Sequence, residues 1–269
     1  MPSTGKPRLL GRAVLLLTFA IAALASISAA AAQAGTPTPI TDEGDKIGQL
    51  WVITLAIAAV VFVAVEGALI YALIRYRKKS DDLPTQTHGS TIVEFIWTGI
   101  PVMIVIVLFT LSIIVLRDIE NEADPDDLTV HVTGFQFSWI FEYNLNDLGT
   151  VNDPDAEGTI RVIGTPAQEP TLVIPVGERV EFALFSPDVI HSFYIRDFLY
   201  KLDVVPGRDN RFVVTAHTTG EFFGQCAELC GLDHAFMRFR LRVVTREEFD
   251  AWVAEMAPQS EEDAVAAAP

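Results

Sequence analysis

The stretch G-Q-C-A-E-L-C-G-L-D-H-A-F-M, residues 224–237, holds both cysteines of the 269-residue chain together with a histidine and a methionine. A second histidine stands upstream in D-V-I-H-S-F, at a predicted strand end that a β-sandwich could bring beside this loop. Thiolates, imidazoles and a thioether are soft ligands, which suit copper better than magnesium or calcium. The candidate metal ligands are therefore Cys226, Cys230, His191, His234 and Met237.

Two other interpretations of this stretch stay open on the residues alone. In an oxidising outer compartment two cysteines usually form a disulfide, although a disulfide does not explain why His234 and Met237 follow so closely. Zinc could be held by both cysteines and both histidines, which would leave the thioether of Met237 without a role. The remaining histidines are predicted to be surface or core residues: His88, His131 and His217.

The segment around these ligands, from residue 119 onward, is dominated by strand signals. Runs rich in β-branched and aromatic residues alternate with turns marked by proline and glycine. This spacing favours an antiparallel Greek-key sandwich or barrel over alternating β-α units. One helix is predicted at residues 246–256, and the small, acidic tail at 257–269 is predicted to be disordered. The predicted strands are residues 128–143, 159–163, 171–174, 179–185, 190–195, 210–215 and 237–244.

The same segment carries the acidic excess of the chain. From residue 119 onward it has 27 Asp or Glu against 10 Lys or Arg, which accounts for the formal net charge of -16. Such a field attracts basic partners and repels nucleic acid, so no nucleic-acid partner is expected. The sequence also shows no glycine-rich phosphate loop and no basic stripe.

The first 118 residues read as a membrane portion, in a chain that is 50% hydrophobic with a mean hydropathy of +0.34. Lys6, Arg8 and Arg12 precede an apolar run over residues 13–24, and small residues follow up to Ala34. This pattern is typical of a secretory signal peptide at residues 1–34. A retained third membrane helix is the alternative.

Two further apolar stretches lie within residues 35–118, at about 49–74 and 92–116. Each exceeds the roughly 20 residues needed to cross a bilayer, so both are predicted to span it as an antiparallel hairpin. The short basic loop at residues 75–79 is expected on the cytoplasmic side. The mature N-terminus and the C-terminal domain are then outside, at the plasma membrane of a prokaryote. Glu66 and Glu94, in or near these spans, should face protein or water.

Four motifs in the chain resemble those of cytochrome c oxidase subunit 2: C-A-E-L-C-G-x-x-H-x-x-M, D-V-I-H-S-F, K-x-D-x-x-P-G-R and E-F-I-W-T-G-I-P. The resemblance covers both spans and the outer domain. It implies a two-helix membrane hairpin joined to an all-β, cupredoxin-like Greek-key barrel at residues 119–256. That barrel would hold a binuclear copper A centre, with Cys226 and Cys230 bridging two copper ions. The terminal ligands implied are His191 and Met237 on one ion, and His234 and the carbonyl oxygen of Glu228 on the other.

The resemblance also implies a function and partners. Electrons would pass from cytochrome c through copper A to haem a of subunit 1, where an aa3-type oxidase reduces oxygen to water and pumps protons. By the resemblance, the haems would be carried by subunit 1. The chain has no C-x-x-C-H motif, so no haem c of its own is expected. The expected partners are subunit 1, other oxidase subunits, the lipid bilayer and a soluble, membrane-bound or fused cytochrome c. The alternatives are the copper A subunit of a nitric oxide reductase and a copper chaperone or assembly protein.

Further site residues follow from the resemblance alone. The Glu228 side chain and Asp203 would lie at a magnesium ion shared with subunit 1. Lys201 and Arg208 would lie near haem propionates, where fixed cations offset carboxylate charge. Glu94 would stand at the entrance of a proton path.

One departure from the family pattern concerns electron uptake. The family has a Trp-aromatic-Trp stretch, and in this chain its first tryptophan is replaced by Phe137, while Trp139 keeps the second position. Electron uptake is therefore assigned to Phe137 and Trp139, but the replacement leaves the identity of the donor cytochrome open.

Overall fold

The structure, a computed structural model, describes residues 36–78, 86, 88–120, 122–124, 127–144 and 159–256. Within these ranges residues 48–115 belong to one compact unit, and residues 37–47 together with those from 116 onward belong to a second, outer unit. The predicted signal peptide at 1–34 and the predicted tail at 257–269 lie outside the described residues.

The first unit contains most of two long helices, α1 (Asp42–Arg75) and α2 (Thr91–Ile119), whose ends at residues 42–47 and 116–119 belong to the outer unit. Both are long and apolar enough to cross a membrane by length and composition. At 1.5 Å per residue they measure roughly 51 and 44 Å, more than a hydrocarbon core of about 30 Å. Both helices also extend beyond the predicted spans at 49–74 and 92–116, at each end. Their apolar side chains are largely exposed within the isolated chain, as expected for surfaces that meet lipid or other subunits.

The outer unit consists of two five-stranded sheets packed on a common core. The strands are β1 (Leu128–Phe135), β2 (Ser138–Asn144), β3 (Thr159–Ile163), β4 (Thr171–Pro175), β5 (Arg179–Phe185), β6 (His191–Ile195), β7 (Tyr200–Val204), β8 (Asn210–Thr215), β9 (Gly220–Cys226) and β10 (Arg238–Val244). The strand order in one sheet is β3-β2-β1-β5-β8 and in the other β4-β10-β9-β6-β7. This confirms the predicted cupredoxin-like Greek-key architecture.

The pairing of these strands departs from the sequence prediction in three respects. β1 pairs with β5, and β10 with β4, in parallel, so the sheets are mixed rather than purely antiparallel. The single strand predicted over residues 128–143 is a hairpin of β1 and β2, in which Phe135 pairs with Ser138. Two strands, β7 and β9, were not predicted, because charged residues in β7 and two glycines in β9 weaken their strand signals.

The core between the sheets is aromatic on the side that faces the cysteine loop. Phe193 and Phe239 stack with ring centroids 4.9 Å apart, and the Trp139 ring lies 5.6 Å from Phe239. Gly224 makes room for this arrangement, because a Cβ there would lie 1.9 Å from Phe239 Cζ. These closely packed rings form a rigid layer next to the end of β9, which carries Cys226.

The helix predicted at residues 246–256 is confirmed as α3 (Arg246–Met256). Its Phe249 is buried, and Trp252 packs edge-on against Tyr143 at 5.0 Å. Tyr143 also ties the two sheets together. Its hydroxyl accepts a hydrogen bond from Val173 N at 2.8 Å and donates one to Val173 O at 3.0 Å. Burial raises the pKa of Tyr143, so the hydroxyl stays protonated.

The segment at residues 37–47, which the sequence assigned to the membrane portion, packs in the outer unit. Ile40 is buried in the common core. Its N–H donates to Asp197 O at 3.1 Å, and its carbonyl accepts from His217 N at 2.9 Å. Thr41 forms a β-bridge with Ala216. Burial of one isoleucine and these backbone hydrogen bonds hold the segment there.

Candidate metal centre

The predicted ligands converge at one end of the second sheet. His191 opens β6 and Cys226 closes β9, and these strands are paired so that Phe193 lies opposite Cys226. The chain then loops through Cys230 and a 3-10 turn beginning at His234. The loop is closed by a hydrogen bond from Cys226 N to Met237 O at 2.9 Å. Strand pairing thus places both segments of the motif side by side.

The two sulfur atoms stand at the centre of the cluster. Cys226 Sγ lies 3.9 Å from Cys230 Sγ, 3.8 Å from His191 Nδ1 and 3.2 Å from Glu228 O. Cys230 Sγ lies 3.6 Å from His234 Nδ1 and 3.8 Å from Met237 Sδ. The structure therefore brings together all six predicted ligand residues, with each sulfur next to one imidazole.

These separations fit donors that share metal ions. Two ligands about 2.0–2.3 Å from a tetrahedral ion are about 3.3–3.8 Å apart. Both cysteines are free thiols, whereas disulfide sulfurs would be only about 2.05 Å apart. His191, Cys226, Cys230 and Met237 are also buried, which shields the site from water. A buried set of thiolates, imidazoles and a thioether suits copper.

The two thiols differ in acidity. Burial opposes ionisation of both, but hydrogen bonds to His191 and to neighbouring backbone groups outweigh it and lower the pKa of Cys226. The pKa of Cys230 is raised, first by burial and then by the charge of the adjacent Cys226 sulfur. Cys226 is thus the first of the pair to ionise. A bound metal cation would offset the second negative charge and so favour release of the second proton.

Asp188 fixes the orientation of the His191 ring. Its Oδ1 lies 2.9 Å from His191 Nε2, and an Nε2–H donated to this carboxylate leaves Nδ1 free to face Cys226. Burial alone would lower the pKa of His191, but hydrogen bonds to Cys226 and Asp188 outweigh burial and raise it. Asp188 therefore selects the ring nitrogen that is presented to a metal.

The turn between β1 and β2 reaches into the same cluster. Gln136 N donates to Asp188 Oδ2 at 2.7 Å, and Gln136 Nε2 donates to Cys230 O at 2.7 Å. Neither Gln136 nor Asp188 was predicted from the sequence as a site residue. Their positions in the sequence could have indicated them, because Gln136 directly precedes Phe137 and Asp188 stands three residues before His191.

The two aromatic residues assigned to electron uptake occupy different environments. Phe137 is half-buried in the β1–β2 turn, beside Gly231 of the cysteine loop. Trp139 is fully buried. Its Nε1 donates to Met237 O at 3.4 Å, and its ring lies 6.2 Å from the His191 ring. Phe137 is therefore the more accessible of the two, and Trp139 packs among the ligands.

The residues assigned to the other predicted sites are exposed, and of these only Glu228 also belongs to the sulfur cluster, through its carbonyl oxygen. Asp203 is exposed on β7, opposite Ser192 of β6. Glu228 follows Ala227, whose N–H donates to Ser192 O at 3.0 Å, so Glu228 and Asp203 both flank Ser192. Lys201 and Arg208 are exposed on β7 and in the turn after it, and Glu94 is exposed in the first turn of α2.

Two family profiles match this chain. The profile of the cytochrome c oxidase subunit II periplasmic domain covers residues 128–244, and that of the subunit II transmembrane domain covers residues 14–115. A probable cytochrome c oxidase subunit 2 from Streptomyces coelicolor is 35% identical over 255 residues, which span 84% of this chain and 80% of the relative. A cytochrome c oxidase subunit 2 from Alkalihalophilus pseudofirmus is 36% identical over 78% of this chain and 58% of the relative.

Among solved structures, the periplasmic domain of cytochrome oxidase subunit II from Bradyrhizobium japonicum is 35% identical. It covers 49% of this chain and 94% of that domain, with a TM-score of 0.41. A chain of a heme-copper terminal oxidase dimer is 17% identical, with a TM-score of 0.33 over 71% of this chain and 97% of that chain. The profile matches and the relatives over most of the chain show that this protein belongs to the cytochrome c oxidase subunit II family and is a subunit of a terminal oxidase.

Proposed function

We propose that this chain is the electron-accepting subunit of an aa3-type cytochrome c oxidase and holds a binuclear copper A centre. The observation that carries the proposal is the cluster of six donors, in which each is 3.2–3.9 Å from a cysteine sulfur. Cys226 and Cys230 would bridge two copper ions. The terminal ligands would be His191 and Met237 on one ion, and His234 and the Glu228 carbonyl on the other.

A copper pair bound here would supply one-electron redox chemistry at a potential set by its ligands. The protein's part is to hold the ligands still. His191 is fixed by Asp188, and Cys226 is fixed by strand β9 and by its backbone hydrogen bond to Met237. Ligands that are held in this way change position little between oxidation states, which favours fast electron transfer.

The partners of the site are part of the same proposal. A cytochrome c would dock near Phe137 and deliver electrons, and haem a of subunit 1 would receive them for reduction of oxygen to water with proton pumping. Lys201 and Arg208 would lie near haem propionates, Glu228 and Asp203 near a shared magnesium ion, and Glu94 at a proton-path entrance. The exposure of all five residues is compatible with contacts to another subunit.

We also propose a topology in which residues 1–34 are a signal peptide, residues 35–118 carry the two spans, and the mature N-terminus and C-terminal domain face outward. The membrane would be the plasma membrane of a prokaryote. The basic loop at residues 75–79 supports this orientation. A protease added outside intact cells should remove the outer domain and spare that loop. Cleavage of the loop from outside would contradict the orientation.

The test of the copper assignment uses the purified oxidase. Two coppers per chain and a seven-line electron paramagnetic resonance pattern, from one electron shared over two copper nuclei, are expected. His191→Gln should abolish the pattern, while the matched change His217→Gln, at an exposed histidine paired with Asp45, should preserve it. Stoichiometric zinc, or a disulfide between Cys226 and Cys230 in the native complex, would contradict the assignment. Consumption of nitric oxide in place of oxygen would contradict the oxidase assignment alone.

A further inference from the structure

The β1–β2 turn and the start of β2 contact both segments that carry predicted ligands, the segment that leads to His191 and the cysteine loop. Gln136 N donates to Asp188, which in turn holds His191. Gln136 Nε2 donates to the carbonyl oxygen of Cys230. From the first residues of β2, Trp139 Nε1 donates to Met237 O. This turn and the strand that follows it are therefore linked to the backbone of Cys230 and of Met237 and, through Asp188, to the His191 imidazole.

Gln136 is the residue that joins two of these links. Its backbone and side-chain hydrogen bonds are both 2.7 Å long, at the short end of the range for N–H donors. The side-chain bond fixes the peptide plane that follows Cys230, and therefore restrains the Cα–Cβ bond that aims its sulfur. Gly231 permits the approach, because a Cβ at that position would lie 3.0 Å from Gln136 Nε2.

We propose that Gln136 is a positioning residue for the metal centre, which holds the Cys230 thiolate through its side chain and the His191 imidazole through its main chain. The inference rests on the proposed copper function and deepens it. Because Phe137 is the next residue, the same turn carries both the positioning contacts and the accessible ring. A displacement of Gln136 would therefore change the ligand geometry and the place of that ring together.

The side-chain link can be removed without touching the backbone link. Gln136→Met keeps the length of the side chain and removes its donor, and Gln136→Asn keeps the amide but is one methylene too short to reach Cys230 O. The matched control is Gln168→Met, the same chemical change at an exposed glutamine in the turn before β4. All three are compared with the wild type in the purified oxidase.

Both Gln136 variants are expected to keep two coppers per chain but to bind them about 10- to 100-fold more weakly, the loss typical when a partner of a metal ligand is removed. Because such losses of affinity appear mostly in the dissociation rate, copper should be released to a chelator faster by a similar factor. Their electron paramagnetic resonance hyperfine pattern should also change, because a shift of the Cys230 sulfur would alter how the electron is shared over the two copper nuclei. Gln168→Met should match the wild type in both measurements.

A wild-type release rate and hyperfine pattern in either Gln136 variant would overturn the inference. So would a lower melting temperature with both copper measurements unchanged, since that result indicates a purely structural role. Failure of the proposed function gives a different result, namely a wild-type oxidase without two coppers per chain. A release rate that rises equally in Gln168→Met would also count against a specific role for Gln136.

Discussion

Gly231→Ala adds a Cβ to the cysteine loop at the point where the loop contacts the β1–β2 turn. Gly231 has φ +141°, a conformation that side chains rarely adopt. An added Cβ would lie 2.8 Å from Phe137 Cε1 and 3.0 Å from Gln136 Nε2, so either the loop or the β1–β2 turn must move. Such contacts are closer than van der Waals radii allow, and they act on the ring assigned to electron uptake.

The loss of stability in Gly231→Ala has two sources: the backbone strain, which Gly220→Ala shares, and the contacts of the new Cβ with the β1–β2 turn. Holding a residue with a side chain in such a backbone conformation costs about 1–3 kcal/mol. For a domain of about 150–250 residues, that corresponds to a melting temperature lower by roughly 2–12 °C. Gly220 supplies the matched control. Its φ is +150°, and a Cβ there would meet only the ring of Phe222, at 3.3 Å. Gly220→Ala therefore imposes the backbone strain without pressing on the turn.

The assay combines thermal unfolding, copper resonance and the rate of reduction by cytochrome c in the purified oxidase. Both variants should unfold at lower temperature. Only Gly231→Ala should also alter the hyperfine pattern and slow reduction by the cytochrome, because only it displaces Phe137 and Gln136. Wild-type reduction and resonance in Gly231→Ala, or an equal change of both in Gly220→Ala, would contradict this prediction.

Three further predictions concern stability, pH and docking. Tyr143→Phe removes two hydrogen bonds to Val173, so the free energy of unfolding should fall by about 1–3 kcal/mol, measured by denaturant titration. An unchanged value would contradict the link. Burial, and then Arg211, lower the pKa of His131 from 6.5 to about 4. The unfolded chain therefore binds this proton first, and stability should be lost as pH falls from about 6.5 towards 4. His131→Gln should reduce that loss in melting curves taken across the range, and an equal loss would exclude His131 as its source. Reduction by a basic cytochrome c should slow as salt rises. Electrostatic steering can raise the association rate 10- to roughly 1000-fold, and salt screens it over a Debye length of about 8 Å at physiological ionic strength. Phe137→Trp should change that rate and leave copper content alone, whereas insensitivity to both salt and Phe137→Trp would favour a tethered donor.

The convergence of the candidate ligands was predictable because residue type and short spacing in the sequence already indicate it. Cys226, Cys230, His234 and Met237 share one loop, so little of the fold is needed to bring them together. His191 required a further step, the pairing of β6 with β9. The predicted strand end at residue 190 was sufficient for that step, although β9 itself was not predicted.

The contacts around the ligands were not predictable in the same way. Gln136 and Cys230 are far apart in the chain, and their hydrogen bond depends on how the β1–β2 turn of one sheet meets the loop of the other. Neither residue type nor local periodicity carries that information. The parallel pairing of β1 with β5 is a similar case, because strand periodicity shows which residues face the core but does not show which strand lies alongside.

The position of Ile40 in the outer core has a consequence for how the protein is made. In chain order the two membrane helices are an insertion into the outer domain, since residues 37–47 belong to that domain and the rest of it starts at residue 116. During synthesis residues 37–47 emerge before either span. Asp197 and His217, the hydrogen-bond partners of Ile40, are made only after both spans. A soluble fragment that begins at residue 119 would lack this piece and leave those backbone groups without their partner. A soluble version that keeps these contacts would have residues 37–47 joined by a short linker to the chain that follows α2.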